Sequence, residues 1–178
     1  METIFDFMAK DHDRLDGVFL SFRQRVKEKN LADLKPFFRE FKTGLQRHIV
    51  WEEEVLFPAF ESKTGMVGEG PTHVMRLEHR SFGDLLDQIH SKVRSGELDG
   101  IMPLAESLLA GLGDHNNKEE MILYPWIDQE LGEDDRAELF KKMDAIPPER
   151  YEVCCGEMPN QQDVSSASPC GCGHEGVR

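Results

Sequence analysis

Two pairs in this chain put a histidine four residues before a glutamate: His48 with Glu52, and His115 with Glu119. On a helix, residues i and i+4 project from one face, so each pair aims an imidazole and a carboxylate at the same point. His12 and His79 stand 36 residues before those two histidines, one for each pair. Six such groups converging in a dry core are costly unless a charge compensates them. Bound metal does so. Two imidazoles per cation, with carboxylates that bridge, describe a dinuclear site in the core of a helix bundle. Mixed imidazole and carboxylate donors suit iron, manganese or zinc, and open coordination positions favour redox or gas-binding iron.

The two pairs belong to a longer repeat. The stretch from His48 to Pro58 recurs 67 residues later from His115 to Pro125, each copy reading His, three residues, Glu, Glu, two residues, Leu, an aromatic and Pro. The same offset carries His12 onto His79, Pro36 onto Pro103, Gly44 onto Gly111 and Leu45 onto Leu112; eight of 25 positions between 36 and 60 are identical under it. This is an internal duplication, and it implies that the six residues form one two-fold site.

The elements that must position these residues are helices. Ile4, Met8, Leu15, Phe19, Phe22 and Val26 fall at helical spacing, with His12 on their stripe. Asn30 stops that helix, and Asp33 with Pro36 marks the next start. The second helix carries Phe37, Phe41, Leu45, His48, Glu52 and Val55, and Pro58 is expected to end or bend it. Residues 61–71 are a Gly-rich connection. A third helix from about Pro71 to Val93 carries Met75, His79, Phe82 and Leu86. A fourth, from Met102-Pro103, carries Leu104, Leu108, Leu112, His115, Glu119 and Ile122. A short fifth is expected from Asp134 to Met143. Short connections make sequential helices antiparallel, so the fold class is all-α, an up-down four-helix bundle. The domain reading is a bundle over residues 1–146 and a Cys-containing tail over 147–178.

Other residues take plainer readings. Glu53 and Glu120 lie about 140° round the helix from the histidines and are expected to face outward. Asp11 and Glu78 are read as surface charge, with contact to a ligand histidine as the alternative. His73, six residues before His79, is read as a surface or helix-start histidine, with a fifth-ligand role as the alternative. His90 is expected at the solvated surface. Trp51, Phe57, Tyr124 and Trp126 are read as core packing rather than as a gate to the metal. Met8, Met75 and Met121 are read as core. Gly44 and Gly111 precede the histidines by four residues, and their missing side chains are expected to leave room for an imidazole or a small metal ligand.

Composition narrows the function. A net charge of −13, from 21 basic and 34 acidic residues, disfavours nucleic acid and anionic lipid as partners. No basic, apolar leader or bilayer-length apolar run is visible, so the expected compartment is the cytoplasm. All four cysteines lie in the last 25 residues. Residues 156–176 are rich in Gly, Ser, Pro, Gln and Asn and cannot build a core. Cys154, Cys155, Cys170 and Cys172 could form a zinc or iron–sulfur site or a redox pair; a disordered tail with reactive thiols is the alternative.

Residues 1–145 resemble the hemerythrin-like, HHE cation-binding domain family. The resemblance rests on Asp11-His12, His48-x-x-x-Glu52, Gly70-Pro71 leading to Met75-x-x-Glu78-His79, and His115-x-x-x-Glu119. It implies a non-haem di-iron centre of two Fe ions, with the two glutamates and an oxo or hydroxo group bridging. Oxygen-carrying hemerythrins have a His-x-x-x-His pair on the third helix, whereas here Gly83 and Met75 flank His79 at that spacing. Four histidines with two bridging glutamates look closer to di-iron proteins that repair iron–sulfur clusters and handle nitric oxide. Those proteins usually carry an added N-terminal cysteine-pair domain. The expected function is binding or sensing of O2 or NO at an open iron. Redox chemistry is the alternative (cluster repair, NO reduction or peroxide removal), with a redox or iron-acceptor protein as partner. Iron storage or delivery is a third.

Overall fold

The computed structural model describes residues 2–152, which hold seven α-helices and no strand. Helix α1 (Ile4–Lys27) opens at Thr3, whose Oγ1 accepts from the Asp6 N–H. Its first two N–H groups, of Ile4 and Phe5, donate to the Asp128 carboxylate at 2.9 and 3.0 Å, tying the start of the chain to the far end of the second half. Asn30 is not only a stop. It caps α2 (Leu31–Trp51) by accepting from the Asp33 N–H, so that helix begins before Pro36, which lies inside it.

Pro58 does not end the second helix. A π-helical turn (Glu52–Leu56) follows α2, and α3 (Phe57–Thr64) continues the rod until Gly65 closes it in the left-handed conformation. The Phe57 N–H reaches back five residues to the Glu52 carbonyl. A proline ring would strike the carbonyl four residues earlier in an α-helix, and the wider turn just before it relieves that clash. The second half repeats the device. Helix α4 (Gly70–Ser95) is followed by α5 (Ile101–Lys118), a π turn (Glu119–Leu123) and α6 (Tyr124–Glu130), with Pro125 just beyond the turn. The rods are therefore α1, residues 31–64, α4 and residues 101–130. They pack α1 on α2 and α4 on α5 as antiparallel neighbours.

Two apolar clusters fill the bundle. One runs from Leu15 to Val26 with Phe38, Phe41, Phe82 and Leu108; the other joins Ile4, Met8, Phe57, Phe60, Met75 and Ile127. The histidine and glutamate level belongs to neither cluster. Helix α7 (Glu133–Asp144) lies over the first half, where Phe140 packs on Phe7 and the Trp51 Nε1–H donates to the Met143 carbonyl. Residues 148–150 form a 3-10 turn, and Arg150 pairs with Glu54.

Because α7 covers Val55 in the first half, its counterpart Ile122 is left 57% exposed, beside Met121 at 72%. A 3.6-residue period places both inside. The π turn also rotates them away from the stripe that 3.6 periodicity defines. With Val74 and Leu77, they form the exposed apolar residues of the second half. His90 is a correction in the other direction: it is 9% exposed, beside Phe38, and burial, then Lys42 and Arg94, lowers its imidazole to about 4. No helix among the described residues is long and apolar enough to cross a membrane.

Candidate metal centre

The four histidines meet in two pairs. His12 and His48 bring their Nε2 atoms to 3.0 Å, and His79 and His115 bring theirs to 3.2 Å. Each glutamate reaches both pairs. Glu119 lies 3.1 Å from His115 through Oε1 and 3.4 Å from His12 through Oε2. Glu52 Oε2 lies 3.2 Å from His79 and 3.9 Å from His48. All six are buried, the two glutamates completely. Two donor sets result, one of Glu52, His79, His115 and Glu119 and one of His12, His48 and Glu119, each with its ligand atoms within 4.8 Å of one another. They share Glu119.

The outward-facing nitrogens have acidic partners as well. His12 Nδ1 lies 2.8 Å from Glu120, His48 Nδ1 3.0 Å from Asp11, His79 Nδ1 2.8 Å from Glu53 and His115 Nδ1 2.8 Å from Glu78. An ionised carboxylate only accepts, so each Nδ1 carries a hydrogen and each Nε2 is turned inward. Glu53 and Glu120 thus do not face outward, and Asp11 and Glu78 are more than surface charge. The expectation failed because it counted residues on an α-helix: Glu53 and Glu120 sit in the π turns and reach across to the opposite half. The repeat itself held the signal, since Asp11 with Glu78 and Glu53 with Glu120 are acidic at the same offset of 67.

Facing lone pairs and buried carboxylates need positive charge. Glu52 Oε2 and Glu119 Oε1 are buried without a hydrogen-bond partner among the described residues, although an imidazole nitrogen approaches each. Buried carboxylate oxygens that face imidazole nitrogens in this way are arranged as donors are around a cation. In the metal-free chain, protons supply the charge. Burial lowers His12, but Glu119 and Glu120 outweigh it and raise it to about 9; burial likewise opposes Glu52 and Glu53 at His79, which rises to about 10. Glu119 is opposed by burial and held well below the usual carboxylate range by His115 and His12. Asp11 is likewise lowered to about 2, against burial, by His48 and Arg14. This donor chemistry fits first-row metal ions.

Tyr124 is the functional neighbour that the spacing did not single out. Its hydroxyl donates to Glu52 Oε1 at 2.7 Å and also lies 3.0 Å from Glu119 Oε2 and 3.3 Å from His48 Nε2. Burial, then Glu119 and Glu52, raises the phenol well above its usual value. The available signal was its repeat partner Phe57, an aromatic without the hydroxyl. Phe57 stacks on His79, with centroids 6.0 Å apart and 8° between planes. Trp51 and Trp126 pack, on Phe7 and Phe60 respectively.

Gly44 and Gly111 do not make room at the metal. A Cβ on Gly44 would meet Leu15 Cδ2 at 2.7 Å, and one on Gly111 would meet Phe82 Cε1 at 3.0 Å. Leu15 and Phe82 are repeat partners, so both glycines admit the side chain of the neighbouring helix. That side of the histidines is an apolar cavity lined by Leu15, Phe41, Leu45, Phe82 and Leu112; it measures about 10 Å³, room for one water-sized molecule. His73 is exposed in the first turn of α4 and belongs to neither donor set. Cys154, Cys155, Cys170 and Cys172 lie outside the described residues.

The family described as hemerythrin HHE cation binding domain matches residues 3–127. An uncharacterized hemerythrin-like protein of Schizosaccharomyces pombe is 28% identical over 76% of this chain and 64% of its own. The iron-sulfur cluster repair protein YtfE of Salmonella schwarzengrund is 31% identical over 44% of this chain and 33% of its own. YtfE of Escherichia coli O157:H7 is 29% identical over 46% and 40%. The chain thus spans less than two thirds of each of these relatives. No solved structure matches significantly.

Proposed function

This chain belongs to the hemerythrin HHE cation-binding domain family, and from that premise we propose that it is a non-haem di-iron protein that binds or senses O2 or NO. The observation that carries this reading is the pair of donor sets sharing Glu119, set against a small apolar cavity. Iron held there would supply an open coordination position and a one-electron redox couple. His12, His48, His79 and His115 would be terminal ligands, and Glu52 and Glu119 would span the two ions. The remaining work is the chain's own. Asp11, Glu53, Glu78 and Glu120 hold each imidazole in the tautomer that turns Nε2 inward. Leu15, Phe41, Leu45, Phe82 and Leu112 shape a small cavity beside the histidines into which a small ligand would enter.

Similarity to iron-sulfur cluster repair proteins favours a second reading, in which the same centre turns over (cluster repair, NO reduction or peroxide removal) with a redox or iron-acceptor partner. Metal content per chain and the optical spectrum, on the intact chain and on one ending at Glu152, are the first test. Two irons in both are expected; no metal in either would overturn the proposal. Additional iron or zinc in the intact chain alone would assign the cysteines of 153–178 a second centre. Reduced protein exposed to O2 or NO should then change its spectrum reversibly. Catalytic consumption of NO or peroxide would instead establish the second reading.

A further inference from the structure

The two halves present the same ligand types at one level, and a single aromatic pair breaks the match. Where the first half has Phe57, the second has Tyr124. Phe57 offers His79 only the face of its ring. Tyr124 instead holds its oxygen within 3.3 Å of one atom each from Glu52, Glu119 and His48. The π turn makes this possible. Tyr124 follows Glu119 by five residues, which on an α-helix is about 140° off its face. The wide turn, closed by the Tyr124 N–H on the Glu119 carbonyl, brings the ring back under the carboxylate. The phenol oxygen thus touches the two carboxylates that reach both pairs, and the histidine it meets is His48, with its ring 5.9 Å from that of His12, which puts it on the His12–His48 side of the centre.

Resting on the di-iron reading, we propose that Tyr124 is a ligand of the metal ion held by His12 and His48, which leaves the exchangeable position to the ion held by His79 and His115. A phenolate is a hard anionic oxygen donor that proteins use for ferric iron. Neighbouring carboxylates disfavour a phenolate in the metal-free chain, and a bound cation reverses that local preference. On loading, the O–H bond breaks, the oxygen–metal bond forms and the proton leaves to solvent, so no oxidant is consumed. The two irons are then chemically unequal. An external ligand would then meet the ion held by His79 and His115 from the cavity, where the Phe82 edge meets His115 with centroids 5.1 Å apart.

Diferric intact protein should show a visible phenolate-to-iron charge-transfer band, and resonance Raman excitation in that band should enhance tyrosine ring modes. The chain has two tyrosines. Tyr124→Phe should abolish both signals while the chain keeps two irons, and Tyr151→Phe should keep both signals. Ring-deuterated tyrosine in the unmutated chain should shift the Raman modes, which needs no variant to fold. Two irons per chain without tyrosine modes would overturn the ligand assignment and leave the di-iron reading intact. A chain that takes up no iron would instead bring down the di-iron reading on which it rests.

Discussion

His79 donates its Nδ1 hydrogen to Glu53 at 2.8 Å, from the opposite half of the duplication, and His12 does the same to Glu120. These bonds lock the two halves across the centre and set the direction of both Nε2 lone pairs. Glu53→Ala or Glu120→Ala should weaken metal affinity about 10–100-fold, with the Gln variants in between because an amide oxygen still accepts. Chelator competition measures this. Unchanged affinity would return both residues to surface charge.

Glu119 belongs to both donor sets, and Glu52 to one while reaching the other. Glu119→Ala and Glu52→Ala should each lose the paired metal, with Glu119→Ala the more complete, while helicity by circular dichroism is kept. Full metal content in both variants would remove their bridging role.

The metal-free chain should lose stability in alkali. His12 and His79 are raised in the folded state to about 9 and about 10, above the ordinary 6.5. Their contribution is therefore fully present below pH 6.5 and is lost as pH rises through 9 to 10. A bound cation must displace those protons, so loading releases protons and the loaded chain lacks this loss. Thermal melting of both forms at pH 6.5 and pH 10 checks it: only the metal-free midpoint should fall steeply. Equal falls in the two forms would contradict the assignment.

The glycines should separate by what a methyl group would touch. Gly44→Ala overpacks against buried Leu15, and Gly111→Ala against Phe82. Overpacking of about 1–3 kcal/mol exceeds the helix gain of about 0.5–1 kcal/mol, so both should destabilise. Gly113→Ala, with nothing within 4 Å, should stabilise by about 0.5–1 kcal/mol. Denaturant unfolding gives all three; stabilisation by Gly44→Ala would show that Leu15 yields freely.

What the sequence by itself determined is the level at which His12, His48, Glu52, His79, His115 and Glu119 meet. Helical spacing is local, and a repeat at fixed offset forces two like halves to face each other. It also determined the all-α fold and its antiparallel order. Three things required the tertiary structure. The π turns came from Pro58 and Pro125 pressing on the preceding turn, and they moved Glu53, Glu120, Met121, Ile122 and Tyr124 off the positions that a 3.6-residue period assigns. The use of Gly44 and Gly111 depended on Leu15 and Phe82 of neighbouring helices, which local pattern does not reach. The burial of Val55 against the exposure of Ile122 depended on α7 packing on the π turn of the first half. Each is a relation between separate elements, so only packing could decide it.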